Sequence, residues 1–148
     1  MKRVLVTGVT GKSGLFFLKE CVAHADELKD YHFKLFVRPT SNTARIDEAA
    51  KVISLEKFTG DKSNSSDVDL FMQGDFDTLL HISSIRDSVL MVTSALNHGV
   101  SRLILVHTTG IYSKFKAASE EYKATEENIA KLLQKMGGGY LLQYSDPQ

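Results

Sequence analysis

The chain has 148 residues, with 18 Lys and Arg against 18 Asp and Glu and a single cysteine. A domain of this length can hold a core without disulfides or a structural metal, which excludes the disulfide-rich scaffolds. The formal charge is zero and the sequence contains neither a basic block nor an acidic tail, so the charge pattern of a nucleic-acid-binding protein is missing. Composition therefore favours one domain that acts on small molecules.

The N-terminus lacks the features of a targeting segment. Lys2 and Arg3 precede an apolar run of only Val4 to Val6, which is too short for a signal peptide. No stretch approaches the ~18 apolar residues of a membrane span. We therefore expect a cytoplasmic protein without a membrane partner. Because Cys21 is the only cysteine, it cannot form an internal disulfide or a CxxC zinc site, and we expect a buried, reduced thiol.

Strand-sized apolar runs recur along the chain, at 4–6, 33–37, 52–55, 78–82 and 103–106. They are nearly continuous in hydrophobicity, as strands buried on both faces of a parallel sheet are. Apolar residues with helical spacing lie between and after them: Leu18, Cys21, Val22 and Ala25; Ile85, Val89, Val92 and Leu96; and Tyr122, Thr125, Ile129, Leu132, Leu133 and Met136. Gly99 is a suitable residue to end the second of these helices. The alternation predicts one α/β domain over residues 1–148, with a doubly wound parallel sheet of five to six strands in three αβα layers.

The segment 8–14, GVTGKSG, lies between the first strand and the first helix. At such a position the first glycine makes the tight turn, the second lets the backbone approach a pyrophosphate, and the third lets helix and strand pack closely. The helix N-terminus adds free N–H groups and a partial positive charge. A plain turn would not need three glycines at this spacing. We expect the following residues to bind a dinucleotide: Gly8, Thr10, Gly11, Lys12, Ser13 and Gly14.

A nucleoside-triphosphate loop, GxxxxGK[ST], is the alternative, because Gly11-Lys12-Ser13 matches its end. That loop requires a glycine five positions before Gly11, where this sequence has Val6. The usual Mg²⁺-binding Asp at the end of a later strand is also missing, since the apolar runs lead into Ser83 and Thr108. The sequence therefore disfavours a triphosphatase.

The end of the second strand distinguishes NAD from NADP. An acidic residue about 20 positions past the glycines binds the ribose of NAD, whereas an arginine accommodates the 2′-phosphate of NADP. The residue here is Arg38, followed by the polar turn Pro39-Thr40-Ser41-Asn42. We predict that NADP(H) is preferred over NAD(H), the alternative being a solvated arginine at a strand end.

These motifs resemble, in order, those of the extended and atypical short-chain dehydrogenases. TGVTGKSG resembles their TGxTGxxG turn, FVRPTS their "VR" strand end, and Thr59-Gly60-Asp61 the "GD" that lies over the adenine. Residues 78–84 are similar to "VIHLAA" and residues 97–103 to "AGVKRL". The resemblance covers nearly all of residues 1–135 and is specific for the NmrA-like and epimerase/dehydratase branch. It implies an NAD(P)-binding Rossmann fold and adds these cofactor-binding residues: Asp61, Ile82, Ser83 and Thr108.

The same resemblance implies a catalytic Ser or Thr after the fifth strand and a Tyr-x-x-x-Lys pair on the next helix. The first role falls on Thr108, with Thr109 as its neighbour. Tyr112 and Lys116 have the pair's spacing but follow the strand too closely, whereas Tyr122 is on the expected helix with Glu126 in place of the lysine. The catalytic candidates are Thr108, Tyr112 and Tyr122. The alternative for Tyr122 is a packing role, because it lies on the apolar stripe of its helix.

His81 and His107 lie in or at the ends of predicted strands without a second ligand at metal spacing. We interpret them as core or cofactor-lining residues and expect no metal site.

Two functions remain open. Family members continue past the fifth helix into a substrate-binding portion, which we expect to be absent from this chain. The first hypothesis is an NADP(H)-dependent oxidoreductase that reduces a small carbonyl, quinone or similar acceptor of unknown identity. The second is a non-catalytic dinucleotide-binding redox sensor or regulator of the NmrA-like type, as the lack of the Tyr–Lys pair suggests. The partners we expect are a small-molecule substrate and, in a homodimer, a second copy of the chain; we expect no nucleic-acid partner.

Overall fold

The computed structural model describes residues 1–82 and 85–106, and for residues 85–89 it describes the backbone alone. Strands and helices alternate in these ranges: β1 (Lys2–Thr7), α1 (Lys12–Ala23), β2 (Tyr31–Val37), α2 (Ala44–Ala49), β3 (Leu55–Thr59), α3 (Ser65–Met72), β4 (Thr78–Ile82), α4 (Ile85–Asn97) and β5 (Arg102–Val106). A short 3₁₀ turn, Ala25–Leu28, follows α1.

The five strands of the described chain form one parallel sheet in the order β3-β2-β1-β4-β5. The chain moves outward from β1 to β3 and then returns to the other side of β1. Since each crossover in a parallel sheet is right-handed, this reversal places the helices on both faces. The structure thus confirms the predicted three-layer αβα Rossmann fold. The reversal also makes the carboxyl ends of β1 and β4 a topological switch point, where such folds bind ligands.

Two apolar cores lie on the two faces of the sheet. Val4 and Val6 point from β1 into the core that contains Leu18 and Cys21 of α1. Leu5, between them, points into the opposite core with Phe71 of α3. This period of two, with apolar residues on both faces, explains why β1 has a continuous apolar sequence.

The third strand differs from its predicted position. The apolar run 52–55 predicts a strand there, but β3 covers Leu55–Thr59. Within residues 1–82 and 85–106, β3 pairs only with β2. Its Glu56 and Lys57 are exposed, so its sequence is not continuously apolar. Ile53, in the preceding loop, is buried against the core on the α1 side. The apolar run therefore marks a packed loop, and the edge strand follows it.

The predicted helical stripes are confirmed in part. Leu18, Cys21 and Val92 are buried, whereas Val22 and Leu96 are 43% and 47% exposed. Ala25 lies beyond α1, in the 3₁₀ turn. The stripe from Tyr122 to Met136 lies outside the described residues.

Gly99 ends α4 as predicted. Its φ is +79°, and two backbone hydrogen bonds close the helix end: the Gly99 N–H donates to the Leu96 carbonyl, and the Val100 N–H to the Ala95 carbonyl. This pair of bonds is the Schellman motif. No helix in the described ranges has the length and apolar character needed to cross a membrane.

Candidate functional site

A glycine turn connects the central strand β1 to α1 at the switch point of the sheet. Gly8 adopts a φ of +76°, and the Gly11 N–H donates to the Gly8 carbonyl at 3.3 Å. The turn therefore reverses the chain within four residues and begins α1 directly above the ends of β1 and β4.

Two of the three glycines are required by packing within the protein. A Cβ on Gly8 would overlap the carbonyl group of Ile82 at the end of β4. A Cβ on Gly14, in the first turn of α1, would overlap the Gly8 carbonyl and the Cα of Val9. Gly8 thus allows β1 and β4 to meet, and Gly14 allows the helix to lie on the strand end.

Gly11 is different, because nothing in the fold requires a glycine there. Its φ and ψ are −80° and 175°, which any residue adopts. The nearest atom to a Cβ at this position would be the Gly8 carbonyl oxygen at 3.5 Å, an ordinary contact. Gly11 is also exposed. A side chain here would project into the space in front of the helix, where a ligand would lie.

The N-terminus of α1 is suited to an anion. Gly11 precedes the helix and has no side chain to cap it, and the first turn carries no acidic residue. By contrast, Asn64 caps α3 by accepting a hydrogen bond from the Asp67 N–H. The first-turn N–H groups of α1, including those of Lys12 and Ser13, have no carbonyl acceptor one turn earlier in the helix. Both residues are exposed, and Thr10 is half-buried in the turn before them.

Arg38 follows directly after β2, on the same edge of the sheet as the glycine turn. It is exposed, and a hydrogen bond from the Ser41 N–H to the Arg38 carbonyl closes the turn behind it. In residues 1–82 and 85–106 no acidic group forms an ion pair with its guanidinium. Asn42 is already engaged, because its Oδ1 accepts from the Ala44 N–H at 3.0 Å. The guanidinium is therefore available to an anion.

Asp61 follows β3 and is held by its own loop. Its Oδ1 accepts from the Ser63 hydroxyl at 2.7 Å and from the Ser63 N–H at 2.9 Å. These two bonds lower the pKa of Asp61, the hydroxyl being the larger cause. The Asp61 N–H in turn donates to Asp67 Oδ2. The carboxylate thus stays ionised and fixed in direction, with its second oxygen free of these contacts.

Ile82 is half-buried and pairs with Val106 across β4 and β5. Its carbonyl group lies against Gly8, as described above. The remaining predicted site residues lie outside the described residues: Ser83, Thr108, Tyr112 and Tyr122. In the described ranges the structure brings Gly8, Gly11, Gly14 and Ile82 together at one edge.

One buried polar pair at this edge was not predicted as a pair. Thr7 Oγ1 lies 2.6 Å from His81 Nδ1, and the two residues are 0% and 1% exposed. Thr7 and His81 are direct partners in the β1–β4 ladder. In the sequence, Thr7 comes directly before Gly8 and His81 comes directly before Ile82, so each polar residue precedes one member of the Gly8–Ile82 contact. No group of three or more His, Cys, Asp or Glu side chains in the described ranges is placed to hold a metal ion.

No protein-family model matches the chain, and no curated protein matches it. Solved structures do resemble it. A wide-type short-chain dehydrogenase/reductase from Veillonella parvula in complex with NADP superposes with a TM-score of 0.60 and 17% identity, over 77% of this chain and 51% of that one. A dTDP-glucose 4,6-dehydratase from Bacillus anthracis in complex with NAD gives 0.62 and 16%, over 86% and 43%.

The anaerobillin reductase ChuY from Escherichia coli O157:H7 gives a TM-score of 0.59 and 21% identity, over 90% of this chain and 67% of that one. The chain spans about half the length of the first two structures. At these identities the likeness establishes the fold. It confirms the predicted Rossmann-type fold, which this chain shares with the three solved structures.

Proposed function

We propose that this protein binds NADP(H) at the carboxyl edge of its sheet and reduces a small carbonyl, quinone or similar electron-poor acceptor by hydride transfer. The observation that carries this proposal is the glycine at position 11. Gly8 and Gly14 have neighbours that exclude a side chain, but Gly11 is exposed, unstrained and without such a neighbour. A glycine at this N-cap position leaves the space before the helix open, which permits the close approach of a ligand.

The groups around Gly11 support a diphosphate as that ligand. The first turn of α1 presents backbone N–H groups and the positive end of the helix dipole toward the same space. Lys12 adds a positive charge at the first helical position, and the first turn has no carboxylate to repel an anion. NAD and NADP are bound in two of the similar structures, which supports a pyridine dinucleotide here.

Arg38 supports NADP(H) over NAD(H). Its guanidinium lies at the end of β2, where the adenosine ribose lies in this fold, and it has no ion-pair partner in the described ranges. A charge-assisted hydrogen bond to the 2′-phosphate contributes about 1.5–3 kcal/mol, which corresponds to about ten- to a hundredfold in affinity. We propose that Asp61 lies over the adenine and that Ser83 and Thr108 complete the cofactor contacts.

Bound NADPH supplies the hydride in reactions of this class. Within this proposal, Thr108 orients the oxygen of the acceptor, and Tyr112 or Tyr122 donates the proton to it. In the sequence, Glu126 follows Tyr122 by four residues, where the family pattern has a lysine that lowers the pKa of the tyrosine. This feature favours the second candidate, a dinucleotide-dependent sensor without turnover.

The test begins with fluorescence titration of the protein with NADPH and NADH. We expect binding of both, with tighter binding of NADPH. The variant Gly11→Ser should fold, since serine is a favoured residue before a helix, but should bind NADPH at least tenfold more weakly. Gly99→Ala, at the far end of α4, is the control and should bind as the wild type does. Equal binding by Gly11→Ser and wild type would contradict the proposed site.

Turnover separates the two candidate functions. NADPH oxidation is followed by absorbance across quinones, aldehydes and sugar nucleotides. Oxidation that depends on one of these acceptors supports the reductase. Tight NADPH binding with no oxidation across the set supports the sensor.

A further inference from the structure

We propose that the hydrogen bond between Thr7 and His81 sets the register of β1 against β4 and thereby positions the glycine turn for the dinucleotide. Both are positioning residues in this proposal, since neither is placed to touch a ligand from its buried position. The inference rests on the proposed dinucleotide site and adds the residues that determine its geometry.

The pair differs from the other pairs in the same ladder. Leu5 opposes Leu79 and Val6 opposes Leu80, so both of these pairs are apolar. In the remaining pair, Val4 and Thr78, only Thr78 is polar, and its hydroxyl donates to Asp77. Thr7 and His81 are both polar, completely buried and 2.6 Å apart. The apolar pairs have no directional bond, whereas the Thr7–His81 hydrogen bond requires its two groups to face each other.

A change of register would separate the two groups. A shift of one residue moves every side chain of β4 to the opposite face. The shift of two residues that brings Thr7 opposite Leu79 keeps the faces but leaves the Thr7 hydroxyl beside a fully buried apolar side chain. A buried hydroxyl that loses its partner is costly. The pair therefore selects the observed alignment.

That alignment determines the position of the turn. Thr7 is followed directly by Gly8, and His81 directly by Ile82. The Gly8 backbone packs so closely on the Ile82 carbonyl that no Cβ fits between them. A displacement of Thr7 relative to His81 would therefore also move Gly8, the next residue. Because the Gly11 N–H donates to the Gly8 carbonyl, the start of α1 would move with it.

The test compares three substitutions of similar size. Thr7→Val removes the hydroxyl and keeps the shape, while Thr7→Ser keeps the hydroxyl. Thr78→Val is the matched control: Thr78 is buried in the same ladder, but its hydroxyl donates to Asp77 at the opposite edge of the sheet. We expect Thr7→Val to bind NADPH at least tenfold more weakly, and Thr7→Ser and Thr78→Val to bind within twofold of wild type.

His81→Phe provides a second variant in case Thr7→Val does not fold. His81→Phe should weaken NADPH binding. The double variant Thr7→Val/His81→Phe should bind NADPH no more weakly than the single variant with the lower affinity, because each single substitution already removes the Thr7–His81 hydrogen bond. Additive losses would overturn the inference. So would binding by Thr7→Val within twofold of wild type, or an equal loss in Thr78→Val.

A readout without ligand keeps this inference separate from the proposed function. In amide NMR spectra of the free protein, Thr7→Val should shift the Gly11 signal, which is not adjacent to the substituted residue, whereas Thr7→Ser and Thr78→Val should leave it in place. An unchanged Gly11 signal in Thr7→Val would overturn the inference even if NADPH binds. A shifted Gly11 signal in a protein whose wild type binds no pyridine nucleotide would sustain the register role and reject the dinucleotide site.

Discussion

The carbonyl group of Ile82, at the end of β4, fills the space in which a side chain on Gly8 would begin. This contact joins the two strands on either side of the switch point, and it makes Gly8 the most constrained residue of the turn. A substitution there acts on the fold first and on binding only as a consequence.

Gly8→Ala should therefore destabilise the protein severely. The new methyl overlaps the Ile82 carbonyl and must also adopt a φ of +76°, so we expect a loss of at least about 3 kcal/mol in the free energy of unfolding. Urea denaturation measures it. Gly99→Ala is the control, because its φ is +79° but no atom lies within 4 Å of the new methyl. That variant should lose only about 1–2 kcal/mol. Equal losses in the two variants would show that backbone strain alone is responsible.

Arg38→Ala should discriminate between the two cofactors. We expect affinity for NADPH to fall by about ten- to a hundredfold while affinity for NADH stays within twofold, since NADH has no 2′-phosphate. Fluorescence titration measures both. Arg45→Ala removes another exposed arginine, on the nearby helix α2, and should change neither affinity. If NADH binding falls in parallel with NADPH binding, Arg38 does not read the 2′-phosphate.

Asp77 should contribute to the acid sensitivity of the fold. Its carboxylate accepts hydrogen bonds from the Arg3 N–H and the Thr78 hydroxyl, and these bonds, the former being the larger cause, lower its pKa. A carboxyl with a lowered pKa in the folded state stabilises the protein above its ordinary pKa of about 3.9, and the contribution is lost as pH falls through the folded pKa.

Asp77→Asn should thus be less stable than wild type at neutral pH, and the difference should shrink as the pH falls from about 5 toward 2. Thermal unfolding across this range measures the difference. Asp75→Asn, a neighbouring exposed carboxyl at a φ of +57° that asparagine also tolerates, is the control. A constant difference between Asp77→Asn and wild type at all pH values would argue against an ionic role.

The Cys21 thiol should react slowly in the folded protein. Burial, followed by the nearby Glu20 carboxylate, raises the pKa of Cys21 to about 11, so little thiolate is present at pH 8. We expect iodoacetamide to modify it at least about a hundredfold more slowly than in urea. Because Cys21 is the only cysteine, mass spectrometry of the intact chain reads the reaction directly. Rapid modification at pH 8 without denaturant would mean that α1 opens readily from the sheet.

The sequence alone determined the features that depend on neighbours along the chain. Apolar runs separated by helical periods were enough to predict the parallel αβα sheet, and the spacing of Gly8, Gly11 and Gly14 between a strand and a helix was enough to predict the turn. The position of Arg38 directly after β2 was predicted in the same way, by counting from the glycines to the next strand end. The local sequence is sufficient in these cases because glycines mark the positions of tight turns and continuous apolar runs mark strands that are buried on both faces.

The tertiary structure decided what depends on residues far apart in sequence. β3 covers Leu55–Thr59 and has the exposed residues Glu56 and Lys57, whereas Ile53 in the loop before it packs against the core. A local count of apolar residues does not distinguish this strand from that loop. The different reasons for the three glycines, and the bond between Thr7 and His81 across 74 positions, appear only when β1 and β4 lie side by side. Steric exclusion and directional hydrogen bonds act between neighbours in space, and the order of the strands determines which residues those neighbours are.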